Sequence, residues 1–179
     1  MQEKASEIQV ITFQIDREVY GVDVHQIKEI IKVREYVRLP NSPASIEGVI
    51  HLRGQIIPTI DLRKAFSMEQ KKSDEDTRII MSEYNSEVVG LIVDSVIGVS
   101  SASRSDVTKP PTLTKSNANE FVTGVIKEKN QLIVVIDVVR LMESKNAAEH
   151  GSTLAADLEQ TRRSSKTSHA KAQEEVIPA

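Results

Sequence analysis

Cysteine is absent from the 179-residue chain, which excludes disulfides and thiolate metal sites and fits a reducing compartment. Tryptophan is also absent, and three tyrosines and three phenylalanines make up an aromatic content of only 3 %. A core must therefore be built from Ile, Val and Leu, and a nucleic-acid platform of stacking rings has little to draw on. A net charge of −3 leaves no polycationic excess, which argues against sequence-independent nucleic-acid binding. No apolar run approaches the roughly 20 residues that span a bilayer, and the opening MQEKASE carries no signal-like apolar stretch. These absences predict a soluble, intracellular protein without direct membrane insertion.

Known catalytic signatures are missing too. There is no G-x-x-x-x-G-K-[ST], G-x-G-x-x-G or G-x-S-x-G stretch. The four histidines, His25, His51, His150 and His169, are scattered, and none forms the i, i+4 pair of a helical zinc site. Asp74 and Asp76 lack the remaining ligands of a calcium loop and read as part of a solvated charge run. No metal, cofactor or catalytic constellation is expected, and the reading is of a protein that is not an enzyme.

What is present is a repeated pattern of β-type runs. Apolar residues make up 39 % of the chain. They concentrate between Glu7 and Glu143, which is divided by the hydrophilic connector Glu69 to Asp76 (EQKKSDED). Gly48-Val-Ile-His-Leu-Arg-Gly-Gln-Ile-Ile-Pro-Thr-Ile-Asp61 aligns without gaps on Gly124-Val-Ile-Lys-Glu-Lys-Asn-Gln-Leu-Ile-Val-Val-Ile-Asp137. Upstream, Glu18-Val-Tyr-Gly21 matches Glu87-Val-Val-Gly90, each preceded by a β-branched run, IQVITFQI or TRIIMSEY. Each half reads as strand, turn, strand, irregular segment, then a hairpin followed by a short helix. The second half carries a longer linker containing Pro110-Pro111.

Short strands in two copies predict two small barrels rather than one open sheet. Gly54 and Asn130 are placed at the left-handed positions of the hairpin turns, and Asp61 and Asp137 are placed as helix N-caps. Pro58 is expected at an edge or bulge, because it cannot donate to a ladder. The expected core is Val10, Phe13, Ile15, Val49, Ile57, Ile60, Ile79, Val89, Leu91, Val125, Ile133 and Val135. From Ser144 to Ala179 the composition shifts to Ala, Ser, Lys, Glu and Gln, and this tail is expected to be disordered.

Recognition remains as the functional class. Arg53 sits in a hairpin turn between Leu52, a candidate apolar contact, and Gly54, which lets another backbone approach. Arginine is over-represented among residues that dominate interfaces. In VDVHQIKEII (Val22 to Ile31), alternation places Ile27 and Glu29 on one exposed face.

The assembled blocks resemble the CheW family of bacterial chemotaxis coupling proteins. They are YGVDVHQIKEII (Tyr20 to Ile31), RLPNSPASIEGVIHLRGQIIPTIDLR (Arg38 to Arg63), VVGLIVDSVIGV (Val88 to Val99) and TGVIKEKNQLIVVIDVVRLM (Thr123 to Met142). The resemblance covers Glu7 to Glu143. It implies an all-β fold of two similar SH3-like five-stranded β-barrels with short helices, packed on a shared apolar interface. The corresponding division is a domain over 7–143, with a first barrel over 17–68, a second over 7–16 plus 77–143, and a tail over 144–179. The implied role is a non-enzymatic adaptor without cofactor, bridging the regulatory domain of the histidine kinase CheA to the cytoplasmic tips of methyl-accepting chemoreceptors. Other CheW-like modules in array rings are further implied partners, and the implied location is cytoplasmic, at membrane chemoreceptor arrays. By position, the implied receptor-binding residues are Arg53, Ile27, Glu29, Gly48 and Val99, with Leu52 and His51 beside them. The family usually has asparagine where this chain has His51, which retains a donor and an acceptor. The tail is longer than the usual module. The related CheA and CheV chains would need additional domains that the remaining residues cannot hold.

Overall fold

A computed structural model describes residues 7–40, 42, 44, 46–110 and 120–144. The expectation of disorder for the tail concerns residues that, Ser144 apart, lie outside this set. Within it the Ile- and Val-rich runs form eleven strands and two short helices. Strands β1 (Glu7–Ile15), β2 (Glu18–Asp23) and β3 (Ile27–Lys32) open the chain, followed by the hairpin of β4 (Ile46–Leu52) and β5 (Gln55–Asp61). Helix α1 (Leu62–Ala65) leads into the connector. Strands β6 (Arg78–Tyr84), β7 (Glu87–Val93), β8 (Ser95–Ser103), β9 (Val107–Thr108), β10 (Val122–Glu128) and β11 (Gln131–Ile136) follow, and α2 covers 138–144.

Pairing shows how the repeat is used. One sheet has the order β8-β1-β2-β11-β10-β9 and the other β3-β6-β7-β5-β4. Under the repeat, β6, β7 and β8 correspond to β1, β2 and β3, and the hairpin β10–β11 to β4–β5. The two sheets then have the same order, β9 apart, but each combines the first two strands of one half with the strands equivalent to β3, β4 and β5 of the other. The exchange is sealed by parallel pairing, with β11 beside β2 and β5 beside β7. A division into 17–68 and 7–16 plus 77–143 therefore does not follow the sheets: β2 lies with β1, and β6 and β7 lie with β3 to β5. Gapless alignment reveals that two copies exist, but it carries no information about which copy pairs with which.

Both sheets close through the chain. β8 passes through the one-turn segment Arg104–Asp106 into β9, which pairs with β10 at the far end of the same sheet. In the other, the chain leaves β3 and returns at Val37 to bridge Val49 of β4. With β9 counted as the continuation of β8, each unit is a five-stranded SH3-like barrel, and closure removes open edges.

The core has three parts. Ile50, Leu52, Ile57, Ile79, Met81 and Ile92 fill one barrel, and Val10, Val19, Ile126, Ile133 and Val135 fill the other. A larger cluster joins them, with Phe13, Ile15, Tyr20 and Val22 packed among Ile60, Leu62, Ile80, Leu91 and Val93. Four aromatics run through this junction, Phe13 to Tyr20 to Phe66 to Phe121, with centroids 6.0, 5.1 and 5.3 Å apart. Tyr84 packs against the same cluster, and the hydroxyl of Tyr36 donates to Glu47. The rings are thus spread through the junction and the barrel walls, and no row of exposed rings forms a stacking platform among the described residues.

Ten of the twelve expected core residues are buried; Val49 and Val125 are the half-buried exceptions. These two are repeat equivalents, and both follow a bulge, at Ile46/Gly48 and at Val122/Gly124. An extra residue in the strand shifts the inward face by one, so Ile50 and Ile126 point inward instead.

The local chemistry largely follows the sequence. The Asp61 carboxylate accepts from the Arg63 amide at 2.8 Å and caps α1, and Asp137 accepts from the Arg140 amide at 3.1 Å. In the second hairpin the left-handed residue is Lys129 (φ 51°) rather than Asn130; in the first, both Arg53 (φ 49°) and Gly54 (φ 81°) are left-handed, as a type I′ turn requires. Pro58 lies in an interior strand, yet at a point where no donor is needed. Its partner Val49 turns both backbone groups to Val37, and β5 begins to pair with β7 only at Thr59.

Candidate functional site

The β4–β5 turn sets the geometry around Arg53. Leu52 opposes Gln55, so the turn contains only Arg53 and Gly54. Alternation along β4 then sends Leu52 inward, where it is 7 % exposed beside Ile50 and Ile57. Leu52, a candidate apolar contact in the sequence, is a core residue of this barrel. His51 points outward opposite Ile56, which is 73 % exposed.

Arg53 reaches across the barrel mouth to β3. Its Nη1 and Nη2 donate to Oε1 and Oε2 of Glu29 at 2.9 and 3.0 Å, a two-pronged pair on a side chain that is 74 % exposed. A shallow groove beside the pair is lined by Lys28, Gln55, Met81 and Val88. Arg53 and Glu29, each expected as a site residue, are therefore in contact. Ile27 and Glu29 are not on one exposed face, because β3 bulges between them. Ile27 packs on the inter-barrel cluster, while Glu29 turns to Arg53. Gly48 is buried, with the backbone of Val37 directly over it. Val99 lies in the other sheet, on β8, where it and Ile97 are exposed.

Two ion networks were not foreseen. Glu47 on β4 is buried and accepts from the Tyr36 hydroxyl at 2.8 Å, from Arg38 at 3.0 Å and from Lys64 of α1. The Arg63 side chain, also buried, donates through Nε and Nη2 to the two oxygens of Asp94 at 2.8 and 2.6 Å, and through Nη1 to the Glu69 carbonyl at 2.8 Å. The only sequence cue was the motif I-D-L-R itself; nothing marked Asp94 or Glu47 as its complements. The connector is likewise built rather than loose. The Asp74 carboxylate accepts from Lys71, Thr77 and the Asp76 amide, which hold it down at about 2. No group of three or more His, Asp or Glu side chains able to hold a metal occurs among the described residues.

Burial alone would push the carboxyls of Glu47 and Asp94 up, but their hydrogen bonds outweigh it and both lie below the ordinary carboxylate range. A folded value below the unfolded one contributes stability above the unfolded pKa of about 4, lost as pH falls through the lower folded value. Asp61 is pushed up, mainly by burial, and partly offsets this. The thermal midpoint is therefore expected to drop as pH falls below about 4. Glu47→Gln should flatten that acid limb; an equally steep limb in the variant would remove Glu47 from the linkage.

A closed pair of β-barrels with packed interiors, polar clefts and an exposed arginine turn defines a class of β-barrel interaction modules. Comparison with known proteins makes the class specific. A family model for the CheW-like domain matches residues 9–146. The chain is 32 % identical over 144 residues to the chemotaxis protein CheW of Treponema pallidum, covering 78 % of this chain and 84 % of that one. It is 32 % identical over 138 residues to the chemotaxis protein CheW of Klebsiella aerogenes, covering 77 % and 83 %. The crystal structure of the scaffolding protein TtCheW from Thermoanaerobacter tengcongensis superposes with a TM-score of 0.70 at 33 % identity, over 79 % of this chain and 91 % of that chain. The chain belongs to the CheW family, and with it to the non-enzymatic adaptors of chemotaxis. Among the described residues, no helix is long and apolar enough to cross a membrane.

Proposed function

We propose that this protein couples chemoreceptors to a histidine kinase by binding the cytoplasmic tips of methyl-accepting receptors and the regulatory domain of CheA within membrane-associated arrays. The observation that carries the receptor half is the turn at Arg53. A non-glycine residue with φ of 49° is held at cost, and an exposed ion pair returns only about 0–1 kcal/mol. Lys129 in the repeat-equivalent turn shares the left-handed geometry, so the turn is structural, and neither it nor the exposed pair makes an arginine in particular useful to the fold. Glu29 presets the guanidinium, whose remaining donors stay open to a partner. Val99, exposed on the other sheet, and Ile27, half-buried against the inter-barrel cluster, are further proposed receptor residues; His51 with Ile56 flanks Arg53, and Gly48 serves by fixing the strand beneath.

The test measures binding of a receptor-tip fragment and of the kinase regulatory domain separately. Arg53→Ala is expected to weaken receptor-tip binding about tenfold, within the range of an interface anchor, and to leave kinase binding unchanged. Arg53→Asn, which tolerates the left-handed turn, should match or exceed parental stability while losing receptor affinity. Parental receptor affinity in both variants would remove Arg53 from the interface.

A further inference from the structure

A second polar surface lies away from the Arg53 turn. The segment 33–38, helix α1 and the connector around 70–77 enclose a groove lined by six basic and four acidic side chains, in a chain whose net charge is −3. The acidic side chains do not balance it. Glu47 is consumed by Tyr36, Lys64 and Arg38, Asp94 by Arg63, and Asp61 by the α1 cap. Glu35 is the one carboxylate of the lining that is fully exposed.

The basic side chains differ in how far they are committed. Arg63 is buried in its pair with Asp94, Lys64 is half-buried on Glu47, and Lys71 is held by Asp74. Arg34 and Lys72 are exposed and form no ion pair among the described residues. Arg38 is 75 % exposed and uses one nitrogen on Glu47, which would keep two other donors if Arg38 turned away. Arg34, Arg38 and Lys72 therefore present a cationic rim that can be neutralised without stranding a buried charge.

We infer that this groove docks an acidic, extended peptide segment of a partner protein. The cations are spread along two facing chain segments rather than converging on one point, which suits several carboxylates in a row. Every buried side-chain polar atom among the described residues already has a partner, so no orphaned buried donor marks a single-anion site. Tyr36 is the single aromatic ring of the lining, half-buried and tied through its hydroxyl to Glu47, so a run of bases would find no series of stacking rings.

The full-length protein is titrated with a fluorescein-labelled alternating Glu-Ala peptide, with an alternating Ser-Ala peptide, inorganic phosphate and oligo-dT as competitors. Saturable, salt-sensitive binding is expected. Arg34→Ala combined with Lys72→Ala should weaken it about tenfold, Arg38→Ala should weaken it further, and Lys127→Ala on β10 should leave it unchanged. Thermal unfolding of each variant verifies that the barrels are intact. Parental affinity in the Arg34/Lys72 double variant, equal competition by the Ser-Ala peptide, or stronger binding of phosphate or oligo-dT would each overturn the assignment. Because Arg53 lies outside this groove, receptor-tip binding in the same variants separates its failure from failure of the coupling function.

Discussion

Arg63→Ala is expected to destabilise the protein by about 3–5 kcal/mol, the range for breaking a buried ion pair by removing one partner. The size follows from what is left behind. Asp94 is 16 % exposed at its side chain, and both of its oxygens accept from Arg63. Among the described residues, the Asp16 amide, at 2.8 Å, remains as its one hydrogen-bond donor once the guanidinium is gone. The Glu69 carbonyl also loses its donor, loosening the start of the connector. The three anchor points belong to different parts of the topology: Asp16 to the β1–β2 turn, Asp94 to the crossing from β7 to β8, and Arg63 to the helix after β5. The pair therefore ties the two barrels at the place where the chain passes between them. Equilibrium denaturation of Arg63→Ala and Arg63→Lys measures the effect. Lysine retains the charge but not the two-pronged geometry, and should recover only part of the loss. A loss in Arg63→Ala below about 1 kcal/mol, the scale of a surface pair, would refute the assignment.

This pair marks the boundary of what single-sequence reasoning can reach. The I-D-L-R motif was visible, and Asp61 could be assigned as a cap because capping is local and its partner lies two residues away. Arg63 is meaningful only with Asp94, 31 residues along the chain, and no periodicity links the two. The same distinction explains the strands. Their existence and order followed from β-branched runs and the repeat, whereas their exchange between sheets depends on parallel pairing that leaves no sequence pattern. At the candidate site, Arg53 and Glu29 were both identifiable as polar residues in apolar surroundings, but their contact was not. Leu52 reads in the sequence as a candidate apolar contact beside Arg53, with nothing to fix the face it takes. The two-residue turn directs it inward, since the last strand residue before it must keep the inward phase of Ile50.

Gly48→Val should cost about 3 kcal/mol, the upper end for overpacking, with part of that loss arising from hydrogen bonds that the clash disrupts. A Cβ at this position would sit 2.6 Å from the Val37 carbonyl oxygen and 2.9 Å from a ring carbon of Tyr36. The obstacle is mainly backbone, so a side-chain rotation cannot relieve it. Accommodation requires lifting the segment around Val37, which exchanges two 2.9 Å backbone hydrogen bonds with Val49. That movement would also draw Tyr36 away from Glu47 and weaken the network beneath the cationic groove. The repeat supplies an internal control. At Gly124 an added Cβ would meet Val107 Cγ1 at 2.3 Å and the Thr108 carbonyl oxygen only at 3.2 Å. A valine methyl can rotate away, so Gly124→Val should be the milder substitution despite the shorter distance. Denaturant midpoints of the two variants decide the matter, and an equal or reversed order would mean that the Val37 segment moves freely. Receptor binding measured alongside separates two roles for Gly48. If affinity falls only in proportion to the unfolded fraction, Gly48 acts through the fold. A larger fall in the folded protein would place the segment over Gly48 within reach of the receptor contact.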